Sequence, residues 1–147
     1  FIPGARLSSS VLKKALGELF AAPLAVSWRI SSGYGWRQDP FTGVRSFHTG
    51  IDLVVPYGTS IKSAMSGTVA AAGYSNVYGN YVIINHGNGY QTLYAHMSSA
   101  SVKKGERVAQ GAQIGHTGNT GYSTGTHLHF SVYRNGKLIN PAQVLKF

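Results

Sequence analysis

The 147-residue sequence contains no cysteine, which excludes disulfides and thiolate metal sites and leaves the redox compartment unmarked. Acids are nearly as scarce: Asp and Glu number four against 13 Lys and Arg, for a formal charge of +9. Glu18 falls in an amphipathic stretch near the start and Glu106 in the turn KKGER. Paired carboxylates of the glycosidase kind would therefore have to be Asp39 and Asp52, and nothing around Asp39, in the turn QDPFTG, supports that pairing. The chain has no HExxH helix. No apolar run approaches the ~20 residues that a membrane-spanning helix needs. The sequence opens FIPGAR, with neither an initiator Met nor a signal-peptide pattern, and so reads as a fragment or processed form; any export signal would have been lost with the missing part.

What is abundant is glycine (19) and tyrosine (9), a balance that favours β-structure with many tight turns. The length suits one domain with a real core. Residues 8–20, SSSVLKKALGELF, predict the one helix: Ser10 caps it, Val11, Leu12, Ala15, Leu16, Leu19 and Phe20 share a stripe, and Pro23 ends it. From about Ser27 onward, short alternating segments are punctuated by glycine. YVIIN and YQTLYAH, joined across His86 to Gly89, read as a hairpin; VYRNGKLI reads as another around Asn135-Gly136. The expected architecture is a mainly β, antiparallel domain over 30–147, behind a helical leader over 1–29. The basic balance favours an anionic surrounding, but Lys and Arg are scattered, with only Lys13-Lys14 and Lys103-Lys104 adjacent, which argues against nucleic acid.

The chemistry concentrates in histidine. In THLHFSVY, His127 and His129 lie two apart on a strand and face one side, while Leu128, Phe130 and Val132 face the other. In FHTGIDLVVP, His48 and Asp52 lie four apart among apolar residues, where a carboxylate must be paired or bound to a cation. His96 ends YQTLYAH. Without cysteine a zinc site must draw on His and Asp, and a His-His-carboxylate set leaves a position open, the catalytic rather than the structural arrangement. GYSTG (121–125) matches G-x-S-x-G, but it runs into a strand instead of turning from strand to helix, so Ser123 reads as a turn residue. His86, at a hairpin tip, and His116, in IGHTGNTG, read as exposed turn histidines.

FHTGIDL, YAHM and GTHLHF, in that order, resemble the H-x-x-x-D motif, the intervening histidine and the H-x-H motif of the lysostaphin- and LytM-type zinc metalloendopeptidases. SSGYGWR, VPYGTSIKSAMSGTV and YGNYVIINHGNGYQTLYAHM resemble the family framework, so that the likeness runs from about Ile30 to Pro141. The resemblance implies one Zn2+ held by His48, Asp52 and His129, with His96 and His127 as catalytic groups beside it. Neutral imidazoles suit proton acceptance from water and donation to an oxyanion. Two positions depart from the family: Thr126 stands where proline is frequent, and Ser131 where glutamate is frequent. Neither matches a ligand or a catalytic group.

The implied activity is hydrolysis of peptide bonds in bacterial peptidoglycan by an exported, periplasmic or cell-envelope enzyme. The leader resembles that of Gram-negative members, pointing to a D,D-endopeptidase cutting D-Ala–diaminopimelate cross-links; the alternatives are a glycyl-glycine endopeptidase and a non-catalytic activator of another wall hydrolase. All five matching positions are filled, which argues against the activator. Tyr34, Tyr78, Tyr94 and Tyr122 are candidates for lining a substrate groove. A regulatory or autoinhibitory N-terminal domain preceding the chain is a further expectation. A biotinyl or lipoyl carrier would need lysine where SAMSGTV has Ser66, and a cupin would need an acid after His129, where the chain reads FSVYRNGK.

Overall fold

The computed structural model describes residues 21–24, 28–38, 42–119 and 126–141. The helix expected over 8–20, Asp39, Tyr122 and Ser123 lie outside these residues.

The described residues form twelve strands. In chain order they are β1 (Arg29–Ser32), β2 (Gly35–Gln38), β3 (Arg45–His48), β4 (Ile51–Val54), β5 (Ser60–Lys62) and β6 (Gly67–Ser75). They continue as β7 (Gly79–Gly87), β8 (Tyr90–Ala100), β9 (Arg107–Val108), β10 (Gln113–Thr117), β11 (His127–Arg134) and β12 (Lys137–Ile139). Ten of the strands make one antiparallel sheet along the path β1-β4-β11-β8-β7-β6-β9, with β12 beside β11 and β10 bridging β8 to β5. The remaining two, β2 and β3, pair in a separate ribbon that leads into β4.

Alternation explains the sheet. On β11, Leu128, Phe130 and Val132 are fully buried and pack with Leu53 of β4 and Val82 and Ile84 of β7 in a single core cluster. Their neighbours His127, His129, Ser131 and Tyr133 take the opposite face, as a period of two requires. Leu24 joins the core from ahead of the first strand by bridging to Ile61. Both expected hairpins form. Asn88-Gly89 and Asn135-Gly136 each have positive φ at both positions, the turn whose twist matches paired strands.

The first turn is shorter than expected, because β7 runs through His86 to Gly87. His86 is consequently no exposed turn residue: it is half-buried, its Nδ1–H donating to the Ser66 carbonyl (2.9 Å) and its Nε2 meeting Thr92 Oγ1 (2.7 Å). His116 likewise lies in a strand, β10, with Nδ1 3.4 Å from Ser99 Oγ.

Candidate metal centre

Register brings the chemistry together. β4 and β8 flank β11, and His129 pairs with Asp52 on one side and with Ala95 on the other. Paired residues of an antiparallel ladder project to the same face, so Asp52 and His129 meet directly. His48 ends β3, and the two-residue link Thr49-Gly50 carries its ring back over Asp52. The link is tight: a Cβ on Gly50 would collide with the Phe130 carbonyl and with Ser131 Oγ, so only glycine lets β4 close on β11 here.

Asp52 sits at the centre of three imidazoles. Its Oδ2 lies 3.2 Å from His48 Nε2, and its Oδ1 lies 2.9 Å from His129 Nδ1 and 3.6 Å from His127 Nε2. Burial raises the Asp52 carboxyl, but hydrogen bonds from His129 and His48, with their charge, outweigh it and hold the group well below the usual carboxylate range.

The far ring nitrogens are held too. His48 Nδ1–H donates to the Gly33 carbonyl (2.8 Å), and His129 Nε2 is engaged by Ser131 Oγ (2.9 Å), with Thr49 Oγ1 at 3.5 Å. With Nδ1 of His48 tied to that carbonyl, its Nε2 is aimed at the Asp52 carboxylate. One atom from each of His48, Asp52 and His129 lies within 4.8 Å of the others, so the three can hold a metal ion. Bonds of about 2.0–2.2 Å to His nitrogen and Asp oxygen require ligand atoms a little over 3 Å apart; His48 Nε2, 3.2 Å from Asp52 Oδ2, is near that spacing, and His129 Nδ1, 2.9 Å from Oδ1, would move slightly outward to admit the ion.

The last histidine arrives by a distortion. Val82 pairs with Tyr94 and Asn80 with Met97, so two residues of β8, Ala95 and His96, oppose one of β7. His96 takes the left-handed conformation, φ 61°, in this bulge, and its N–H donates to the Tyr78 carbonyl (2.7 Å). Bulges of this kind re-aim a side chain, and the His96 ring ends 4.9 Å from the His127 ring and 6.0 Å from the His129 ring.

All five motif residues therefore converge. Two of the expected groove tyrosines do lie near them. Tyr78 is half-buried with its ring 6.2 Å from the His129 ring, and Tyr34 stacks edge-on against Phe47, the neighbour of His48. Tyr94 does not. It is fully buried on the core face, where its hydroxyl accepts hydrogen bonds from the Ala64 N–H and Thr92 Oγ1, so it cannot line a groove. Sequence reading named Ser131 only as a departure from the family, with no role, and missed the Gly33 carbonyl. Ser131 was accessible in principle, since it lies two residues beyond His129 on the same face; a backbone carbonyl leaves no residue-type signal.

A β-sheet that presents three side chains able to hold a metal ion beside two further histidines fits a metallohydrolase-like domain. Residues 46–141 match peptidase family M23, and the chain belongs to that family. It is 44% identical over 116 residues to the DD-carboxypeptidase/endopeptidase Mpg of Neisseria meningitidis, covering 79% of this chain and 27% of that protein. It superposes on a zinc-containing peptidase of Vibrio cholerae with a TM-score of 0.79 at 34% identity, covering 84% of this chain and 39% of the other. Against the catalytic domain of lysostaphin from Staphylococcus simulans the TM-score is 0.73 at 34% identity, with 82% of this chain and 93% of that domain aligned. The chain spans about a quarter of the length of the curated relatives it matches.

Proposed function

We propose that the chain is a zinc-dependent endopeptidase acting on bacterial peptidoglycan, with His48, Asp52 and His129 holding the metal and His96 and His127 serving the reaction. The observation that carries this reading is the single carboxylate of Asp52 facing three imidazoles with its charge retained. The zinc-containing relative from Vibrio cholerae supports the choice of metal. Bound there, zinc supplies Lewis acidity to a peptide carbonyl and lowers the pKa of water.

The protein's own groups supply the rest. The Gly33 carbonyl and Ser131 fix the orientations of the His48 and His129 rings, so that the ligand nitrogens are aimed before metal arrives. His96 and His127, whose ring centres are 4.9 Å apart, can share proton acceptance from water and hydrogen-bond donation to a tetrahedral oxyanion. Tyr78 borders the site from the next strand pair and hydrogen-bonds Tyr133, whose phenol burial and Tyr78 together push up.

The D-Ala–diaminopimelate cross-link is the bond this reading favours, supported by the DD-specific name of the Neisseria relative. Such an enzyme works in the cell envelope. Digestion of purified sacculi with diaminopimelate-type and pentaglycine-type walls, read by fragment mass, tests it. The expected result is D-Ala–diaminopimelate cleavage that disappears with a chelator and with His96→Ala. Zinc binding without cleavage of either wall would instead support a non-catalytic role.

A further inference from the structure

Beyond the five-residue site, one row of the sheet brings an arginine into line with it. Arg29 of β1 pairs with Val54 of β4, and Val54 pairs with His127 of β11. Residues in register share a face, so these three side chains lie on the same side as Asp52 and His129, one step further along the strands. Two strand spacings put the Arg29 backbone roughly 10 Å from that of His127.

An open depression of about 650 Å³ lies on this row, lined by Trp28, Arg29, Val54, Pro56, Tyr57 and Thr126, the last adjoining His127. Its walls are mainly apolar. Tyr57 is 69% exposed, a large aromatic surface that packing inside this chain does not use. Arg29 brings the only formal charge among the residues that line it. Among the described residues the acids are engaged elsewhere: Asp52 by three histidines and Glu106 by the Lys103 N–H.

We infer that this depression is a subsite for a free carboxylate of the substrate, held by the Arg29 guanidinium between the Trp28 and Tyr57 side chains. The inference rests on the peptidase reading above and adds a determinant of substrate choice to it. An extended peptide advances about 3.3–3.6 Å per residue, so the carboxylate must lie within about three residues of the scissile bond. Cross-linked diaminopimelate meets this condition, because its free carboxylate sits on the carbon bearing the cross-linked amine. An all-glycine bridge has no such group. A planar guanidinium pairs with a carboxylate through two parallel N–H donors, and apolar walls that thin out water strengthen the pair.

The test uses a soluble D-Ala–diaminopimelate cross-linked peptide and its analogue amidated at that carboxylate, with wild-type protein, Arg29→Gln and Arg29→Lys. For wild type, amidation should raise KM by about 10- to 100-fold, the range for a hydrogen bond to a charged group, with little change in kcat. Arg29→Gln should treat both peptides alike, at the level wild type shows for the amide, and Arg29→Lys should recover part of the difference. Calorimetric titration of both peptides into zinc-loaded His96→Ala and into His96→Ala/Arg29→Gln separates binding from hydrolysis. A carboxylate preference present in the first protein and absent in the second supports Arg29 as the carboxylate-binding group even if wild type cleaves nothing, so that failure of the peptidase reading is told apart from failure of the carboxylate site. Equal affinity for both peptides in His96→Ala, or the same preference with and without Arg29, overturns it.

Discussion

His96 shows how much one residue can carry. Its left-handed backbone costs an L-residue about 1–2 kcal/mol, and the bulge holds it there because that conformation delivers the ring beside His127. Removing the side chain should therefore separate strain from chemistry. His96→Gly should be more stable than His96→Ala by about 1 kcal/mol in denaturant unfolding, while both lose hydrolysis and keep zinc. Tyr94 offers a second residue-scale contrast. Burial pushes its phenol up to about 12, against hydrogen bonds with Ala64, Thr92 and Ser63 that pull the other way. A group raised on folding favours the folded state while protonated, so its contribution is complete below pH about 10 and fades as pH rises toward 12. Alkaline unfolding should reveal about 2–3 kcal/mol lost across that window in wild type and absent from Tyr94→Phe. At neutral pH, Tyr94→Phe should be the less stable by about 1–3 kcal/mol, because the buried Ala64 N–H loses its acceptor.

At the scale of elements, the site depends on how closely β4 approaches β11. Gly50 sets that distance, with the Phe130 carbonyl and Ser131 Oγ where a Cβ would stand. Gly50→Ala must push the strands apart just where Asp52 meets His129. Zinc affinity, measured by competition with a chromogenic chelator, should fall by about 10-fold or more, together with stability, although no ligand has changed. Unaltered zinc affinity in a folded Gly50→Ala protein would show that the link does not position the ligands. The β2–β3 ribbon acts differently: it contributes His48 from outside the main sheet, and the Gly33 carbonyl just before it holds the ring.

The whole molecule is governed by charge. With a formal charge of +9, it should be retained by polyanionic walls through long-range attraction, and retention should weaken steeply as salt shortens the Debye length from about 10 Å at 0.1 M to about 3 Å at 1 M. Sedimentation with isolated sacculi at increasing salt checks this. Binding that is insensitive to salt would assign retention to the groove and not to the charge. The described residues contain no helix long and apolar enough to cross a membrane.

The sequence by itself determined the fold class and the existence of both hairpins, and it singled out five residues that the fold brings together. Those features are local: periodicity assigns faces, Asn-Gly sets turns, and residue type limits metal ligands in a chain without cysteine. It misassigned Tyr94, whose strand alternation looks the same whichever face the core takes, and His86, whose partners are Thr92 of the neighbouring β8 and Ser66 just ahead of β6. Tertiary structure alone decided the bulge that turns His96 toward His127, the Gly33 carbonyl behind His48, and the row that sets Arg29 in line with the site. Each of these depends on which strands become neighbours and in what register. That is settled by the shared burial of residues far apart in the chain, and no local pattern encodes it.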